Sequence, residues 1–194
     1  MQTEIEAKFI DVDINDVRNR LEAAGAKLVQ PMRMMRRVTI DPPGQEAADV
    51  FLRVRDEGDK ATMTYKSYDD ITVDGANEIE VEVSDFQLTV DILASSGLVQ
   101  KSYQESKRES WQLDGCEIEL DEWPWLNPYI EIEGPSVDAV QALADKLGFD
   151  WEQAVYGGVA YVYQQQYPDL FTADEFNSQL ARIKFDDPPP ELLG

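Results

Sequence analysis

Residues 78–83 read Glu-Ile-Glu-Val-Glu-Val. Charged and apolar side chains alternate with a period of two. An extended chain therefore puts Glu78, Glu80 and Glu82 on one face and Ile79, Val81 and Val83 on the other. The alternation recurs on both sides of this stretch. Upstream, Lys60, Thr62, Thr64 and Lys66 alternate with Ala61, Met63 and Tyr65. Arg53 and Arg55 alternate with Leu52 and Val54, and Glu4, Glu6 and Lys8 with Ile5, Ala7 and Phe9. Downstream, Glu117, Glu119 and Asp121 alternate with Ile118 and Leu120, and Glu131 and Glu133 with Ile130 and Ile132. Less regular strands are expected near 33–40 and 103–113, which makes about eight in all. In the last of these Lys107 and Arg108 point to opposite faces, and alternation alone does not say which faces in.

Between the strands lie segments of helical period. Residues 13–24 are capped by Asp13, place Ile14, Val17 and Leu21 on one face and end at Gly25. Residues 85–96 align Phe86, Val90 and Leu93 before Gly97. Residues 136–147 begin at Ser136, align Val137, Val140, Leu143 and Leu147, and stop at Gly148. A weaker helix is expected over 173–183, and the tail from Phe185, with Pro188, Pro189 and Pro190, is expected to be disordered.

A strand with one charged face usually turns it to water. Here whole strands are acidic and others basic, whereas solvated faces mix their charges. The helices' apolar stripes must also be buried, and the apolar strand faces are their natural partners. Helices then cover the outside, the sheet curls to hide its edges, and its charged face lines a lumen. The expected fold class is α+β: an eight-stranded antiparallel β-barrel, or tunnel, with amphipathic helices packed outside. One tunnel domain is expected over 1–168, a C-terminal helical extension over 169–185 and a disordered tail over 186–194.

Composition narrows the chemistry. The 194 residues fit one domain, and 43% hydrophobic with 29% charged is ordinary for a soluble globular chain. No apolar run approaches the roughly 20 residues of a membrane span. The start, MQTEIEAKF, lacks the features of a signal peptide. Cys116 stands alone, which excludes an internal disulfide and agrees with a reducing, cytoplasmic location. There is no histidine, so imidazole triads and His-based zinc sites are excluded. A net charge of −22 repels DNA and anionic membranes, so neither is an expected partner. An anionic substrate must be held where the few basic residues gather, or come in with metal.

Glu-x-Glu on a strand sets two carboxylates on one face about 7 Å apart. Such oxygen donors suit Mg²⁺ or Mn²⁺. Arginine forks bind phosphate oxygens in pairs, and lysine adds a point charge. A lumen crowded with carboxylates cannot stay ionised without cations. Divalent metals and a bound phosphate chain satisfy both requirements.

The ordered set of motifs resembles the CYTH domain, or triphosphate tunnel metalloenzyme, superfamily. It runs Glu4-Ile5-Glu6-Ala7-Lys8, Arg53-Val54-Arg55, Thr64-Tyr65-Lys66, Glu78 to Glu82, Lys107-Arg108-Glu109-Ser110-Trp111, Glu119-Leu120-Asp121 and Glu131-Ile132-Glu133, over about residues 2–165. The resemblance implies an eight-stranded tunnel, Mg²⁺ or Mn²⁺, and a small-molecule triphosphate as substrate. It implies metal-binding roles for Glu4, Glu6, Asp121, Glu131 and Glu133. It implies a phosphate track of Lys8, Arg53, Arg55, Lys66 and Arg108, with Lys66, Glu4 and Glu6 serving catalysis. Arg108 is preferred to Lys107 because the family's arginine precedes an aromatic by three residues, here Trp111. Glu78, Glu80, Glu82, Glu119, Lys107 and Arg37 are additional candidates, and a homodimer is compatible with the family.

The loop Trp123-Pro124-Trp125-Leu126-Asn127-Pro128-Tyr129 departs from the Gly-Leu-Gly-x-Phe type of class IV adenylyl cyclases. Its aromatics read either as packing at the rim or as a stacking platform for a base or thiazole ring. Arg33, Arg36 and Arg37 read as surface charge or as an extension of the phosphate track. Hydrolysis of tripolyphosphate, or of a nucleoside or thiamine triphosphate, is the first reading. A cyclase making cyclic AMP and pyrophosphate is the second, and a non-catalytic polyphosphate- or nucleotide-binding module the third.

Overall fold

The computed structural model describes residues 1–44, 50–168, 176 and 180–191. The chain runs β1 (Gln2–Glu4), β2 (Glu6–Phe9), α1 (Ile14–Ala24), β3 (Lys27–Ile40), β4 (Val50–Asp56), β5 (Ala61–Tyr68), β6 (Ala76–Val83), α2 (Phe86–Ser95), β7 (Gln100–Leu113), β8 (Cys116–Glu122), β9 (Tyr129–Glu133), α3 (Val137–Lys146), α4 (Val159–Gln166) and β10 (Arg182–Ile183). A 3₁₀ turn, Trp151–Gln153, lies between α3 and α4.

The sheet order is β1-β6-β5-β4-β3-β7-β8-β9-β2, every pairing antiparallel. The two ends of this order, β1 and β2, are consecutive in the chain and separated by Ile5 alone. The ring is therefore a nearly closed barrel. Nine strands form it where eight were expected, because the N-terminal strand is broken at Ile5. There the Ile5 carbonyl accepts from Gly134 N–H, and Glu6 N–H donates to the Val73 carbonyl. Short β10 lies off the ring, parallel to β7.

The main apolar core lies outside the barrel. Ala7, Phe9, Ile118, Leu120, Ile130 and Ile132 on the outer faces of β2, β8 and β9 pack against Ile14, Val17 and Leu21 of α1 and Val140, Leu143 and Leu147 of the α3 region. Asp13 caps α1 by accepting from the Asn15 and Asp16 amides, and Gly25 ends it at φ 82°, where a side chain would be strained. Truncating a buried anchor such as Leu21 to alanine costs about 2–5 kcal/mol. A second core gathers Trp123, Tyr129, Val162, Tyr163, Phe176, Leu180 and Ile183.

Two expectations need correction. Helix α2 forms at the expected place, but none of its side chains is fully buried. Phe86, Val90 and Leu93 are half-covered, while Leu88 and Ile92 face solvent. Consistently, Ile79 and Val81 on the outer face of β6 are bare. The helix expected over 173–183 lies largely outside the described residues, and its last two, Arg182 and Ile183, form β10. Beyond it Arg182 pairs with Asp187 at 2.8 Å. Among the described residues no helix is long and apolar enough to cross a membrane.

Candidate functional site

Because the apolar faces turn outward, the alternate positions fill the barrel with charge. They line a cavity of about 830 Å³. The strand order sorts this lining. Strands β5, β4, β3 and β7 contribute Lys66, Arg53, Arg55, Arg33, Arg37 and Arg108 as a basic arc. Strands β6, β1, β2, β9 and β8 contribute Glu78, Glu80, Glu4, Glu6, Glu131, Glu133, Glu117 and Glu119 as an acidic one. Lys8 stands within the acidic arc, and only 1% of its surface is exposed.

Charges pair across the boundaries of the arcs. Lys8 Nζ lies 2.9 Å from Glu6 and 3.4 Å from Glu131. Lys66 contacts Glu4 directly and lies 3.9 Å from Glu6. Arg53 donates to Thr64 Oγ1 at 3.2 Å and lies 3.5 Å from Glu80, which Thr64 also serves as a donor at 2.7 Å. Arg55 meets Glu57 at 2.7 Å. Arg108 holds Asp121 through two hydrogen bonds, at 2.8 and 2.5 Å, and Glu131 through a third at 2.6 Å.

These contacts set protonation. Burial disfavours the Lys8 and Lys66 cations, but Glu6 beside both, with Glu131 for Lys8 and Tyr68 and Glu4 for Lys66, holds each well above the usual lysine range. Burial raises the Glu131 carboxyl, yet Lys8 and Arg108 overcome it and hold Glu131 well below the carboxylate range. Three carboxyls are left with too little positive charge. Burial, then the nearby Glu4, pushes Glu78 up to about 7. Burial pushes Glu119 to about 7 against the pull of Arg108. Burial, then Glu4, Glu6 and Glu117, pushes Glu133 to about 7.

The expected site residues mostly converge here, with three exceptions. Glu82, near the end of β6, is exposed and does not line the cavity. Lys107 points outward to Glu122 at 3.2 Å and stacks on Phe185. Asp121, fully buried, is engaged by Arg108 and does not line the cavity.

Other contributors were not anticipated. Glu57 is buried between Arg55, Arg33 at 3.7 Å and Lys60 at 3.8 Å. Its sequence context, Asp56-Glu57-Gly58-Asp59, reads only as a polar turn. Tyr68 lies under the Lys66 ammonium, 5.5 Å from ring centre to nitrogen. Of the three undecided arginines, Arg33 and Arg37 line the cavity, while Arg36 faces outward to Asp56 and the Phe86 ring.

The donor set fits a hard divalent cation: it is all oxygen, and Glu78 Oε2 and Glu119 Oε2 are buried without a hydrogen-bond partner among the described residues. Three carboxyls near 7 mark the same shortage of positive charge. No group of three acidic side chains is already assembled as a cage among the described residues. Lys8 and Lys66 reach into the spaces between the carboxylates instead.

The CYTH domain family model matches residues 2–155. Among solved structures, the PH1012 protein of Pyrococcus horikoshii superimposes with a TM-score of 0.68 at 23% identity, covering 82% of this chain and 97% of that one. A Vibrio parahaemolyticus protein named for adenylate cyclase gives 0.69 at 12% identity, covering 84% and 98%. The Hippeastrum protein HpAC1, named for adenylyl cyclase and described as having a dominant triphosphatase activity, gives 0.61 at 17% identity, covering 88% and 98%. At these identities the likeness is one of fold. No curated protein matches the chain significantly.

Proposed function

We propose that this chain, which belongs to the CYTH domain family, hydrolyses a triphosphate in the barrel with a divalent cation, Mg²⁺ or Mn²⁺. The observation that carries the reading is the facing of a basic arc by an acidic arc inside one nearly closed barrel. A phosphate chain needs several fixed cations in a row, and its counter-metal needs carboxylates opposite them. The description of the Hippeastrum neighbour as having a dominant triphosphatase activity supports this choice of reaction.

Glu4, Glu6 and Glu133, with Glu78 beside Glu4 and Glu119 beside Glu131, would hold the cation. When bound it neutralises phosphate charge and lowers the pKa of a coordinated water. Arg53, Arg55 and Arg108 take phosphate oxygens in exchange for part of their carboxylate contacts. Asp121 and Glu131 keep Arg108 oriented toward the lumen. Lys8 and Lys66 stay protonated and serve as fixed charges.

Hydrolysis is preferred to cyclisation on a specific ground. A cyclase must fix a base and sugar so that the 3′-hydroxyl reaches phosphorus. Of the loop aromatics, Trp123 and Tyr129 are buried, the Trp123 face is covered by Arg37, and half-buried Trp125 donates its indole N–H to the Asp187 carbonyl. The test is incubation with tripolyphosphate, ATP or thiamine triphosphate and Mg²⁺ or Mn²⁺, with identification of the products. Tripolyphosphate is expected to be cleaved at least as well as ATP, and the ATP product is not cyclic. Accumulation of cyclic AMP and pyrophosphate from ATP, with tripolyphosphate intact, would replace this reading with the cyclase.

A further inference from the structure

The lumen guanidiniums are not equivalent. Arg53 is shared with Glu80, Arg55 with Glu57, Arg108 with Asp121 and Glu131, and Arg33 with Glu57. Arg37 makes no ion pair among the described residues. Its guanidinium instead rests on the face of Trp123, 4.1 Å from the ring centre. On β3 it stands beside Arg55 on one flank and Gln104 on the other. The nearby charges are mostly of its own sign. Burial first, then Arg53, lowers the Arg37 pKa to about 9, with Arg55 and Arg108 adding to the effect.

From this geometry we infer that Arg37 is the anion-anchoring residue of the tunnel, and that Trp123 is the positioning residue which holds its unpaired cation in the lumen. The inference rests on the triphosphate reading and deepens it. An anion arriving at Arg53, Arg55 or Arg108 must displace a carboxylate already in place, so much of its attraction is cancelled. At Arg37 nothing is displaced. The cost of keeping an unpaired guanidinium inside the protein is already met in the free chain, in part by the aromatic face. The arriving phosphate removes that cost and gains a charge-assisted pair of hydrogen bonds. Indole suits this role because it offers the largest π face, which lets arginine stack while its N–H groups stay free at the edge. Trp123 also packs in the second apolar core, as the packing reading of its loop expected, and its ring face is occupied by Arg37.

The test measures binding of inorganic tripolyphosphate by calorimetry, in chelator-treated buffer and again with Mn²⁺, together with the thermal midpoint of the free protein. Arg37→Met keeps an apolar stem on the indole but removes the charge. It should weaken tripolyphosphate by about ten- to a hundredfold. It should also raise the midpoint of the free protein, because an unneutralised charge is gone. Trp123→Leu should weaken binding to the same extent while lowering the midpoint, and the double variant should bind no worse than Arg37→Met alone. Trp123→Phe, the milder change should the leucine variant not fold, retains a ring and most of the binding. If wild type binds and Arg37→Met binds equally well, or is less stable when free, Arg37 is not the anchor and the triphosphate reading stands. If the Trp123 and Arg37 losses add, or Trp123→Phe weakens binding as much as Arg37→Met does, the positioning role falls. If wild type binds no tripolyphosphate in either buffer, the triphosphate reading itself fails.

Discussion

Replacing Arg108 with alanine should destabilise the barrel strongly, and in a way that depends on pH. Arg108 is the sole basic partner within ion-pair distance of Asp121 among the described residues, and Asp121 is fully buried. Removing one partner of such a pair strands the other charge, at a cost of about 3–5 kcal/mol. For a chain of this size each kcal/mol shifts the thermal midpoint by about 2–4 °C, so a fall of about 6–20 °C is expected. Glu131 is spared part of the loss because Lys8 remains 3.4 Å away. Burial already pushes the Asp121 carboxyl up against the pull of Arg108, and without the guanidinium that opposition disappears. A carboxyl whose folded pKa lies above its unfolded one binds a proton preferentially in the native state. Its contribution to stability is lost as pH rises from the unfolded toward the folded value. The deficit relative to wild type is therefore smaller at pH 5 than at pH 8. Urea unfolding of both proteins at the two pH values measures it, and Asp121→Asn in the same background should recover part of the loss. A deficit below about 1 kcal/mol at pH 8, or one larger at pH 5, would refute the stranded-carboxylate account.

Two further outcomes are expected. Glu6→Gln should abolish turnover while leaving the circular dichroism spectrum unchanged, since Lys8 keeps its contact with Glu131; unchanged activity at limiting Mg²⁺ or Mn²⁺ removes Glu6 from the site. Glu78, Glu119 and Glu133 are raised to about 7 and must lose protons to serve a cation, so calorimetric affinity for Mn²⁺ should rise between pH 6 and pH 8; equal affinities at the two values would show that these carboxyls do not take part.

The inversion of the barrel was legible because single strands carry one sign of charge. Glu78 and Glu80, or Arg53 and Arg55, need no tertiary information once the helices have claimed the apolar faces. The break at Ile5 was not legible, since Glu4, Glu6 and Lys8 keep their alternation straight through it. The arginines of β3 were only partly so. Arg33 and Arg37 share parity and do face inward, and Arg36 differs and faces outward. Adjacent Met34 and Met35, however, put an apolar side chain on each face and erase the pattern that would have distinguished them. The destination of Glu57 depends on three cations from β3, β4 and the following turn meeting it in space, which local spacing does not encode. Alternation alone was silent on Lys107 and Arg108, of which Arg108 lines the cavity and Lys107 turns outward to Glu122.

The closure of the ring at Ile5 bears on how the chain is made. The segment Gln2–Phe9 pairs with Ala76–Glu78 on one side and Ile130–Glu133 on the other. On a ribosome adding about 5–20 residues per second, the last of these partners follows it by about 6–24 seconds. During that interval Glu6–Phe9 lacks its partner, with apolar Ala7 and Phe9 along one side, the kind of edge that recruits neighbouring chains. The other side of the segment carries Glu4, Glu6 and Lys8, charges that discourage premature pairing in the same way as gatekeeper residues beside exposed strands. The side chains that later furnish the tunnel thus also guard the nascent strand, and an exchange of Glu4 and Glu6 for apolar residues would be felt at the ribosome before it was felt at the site.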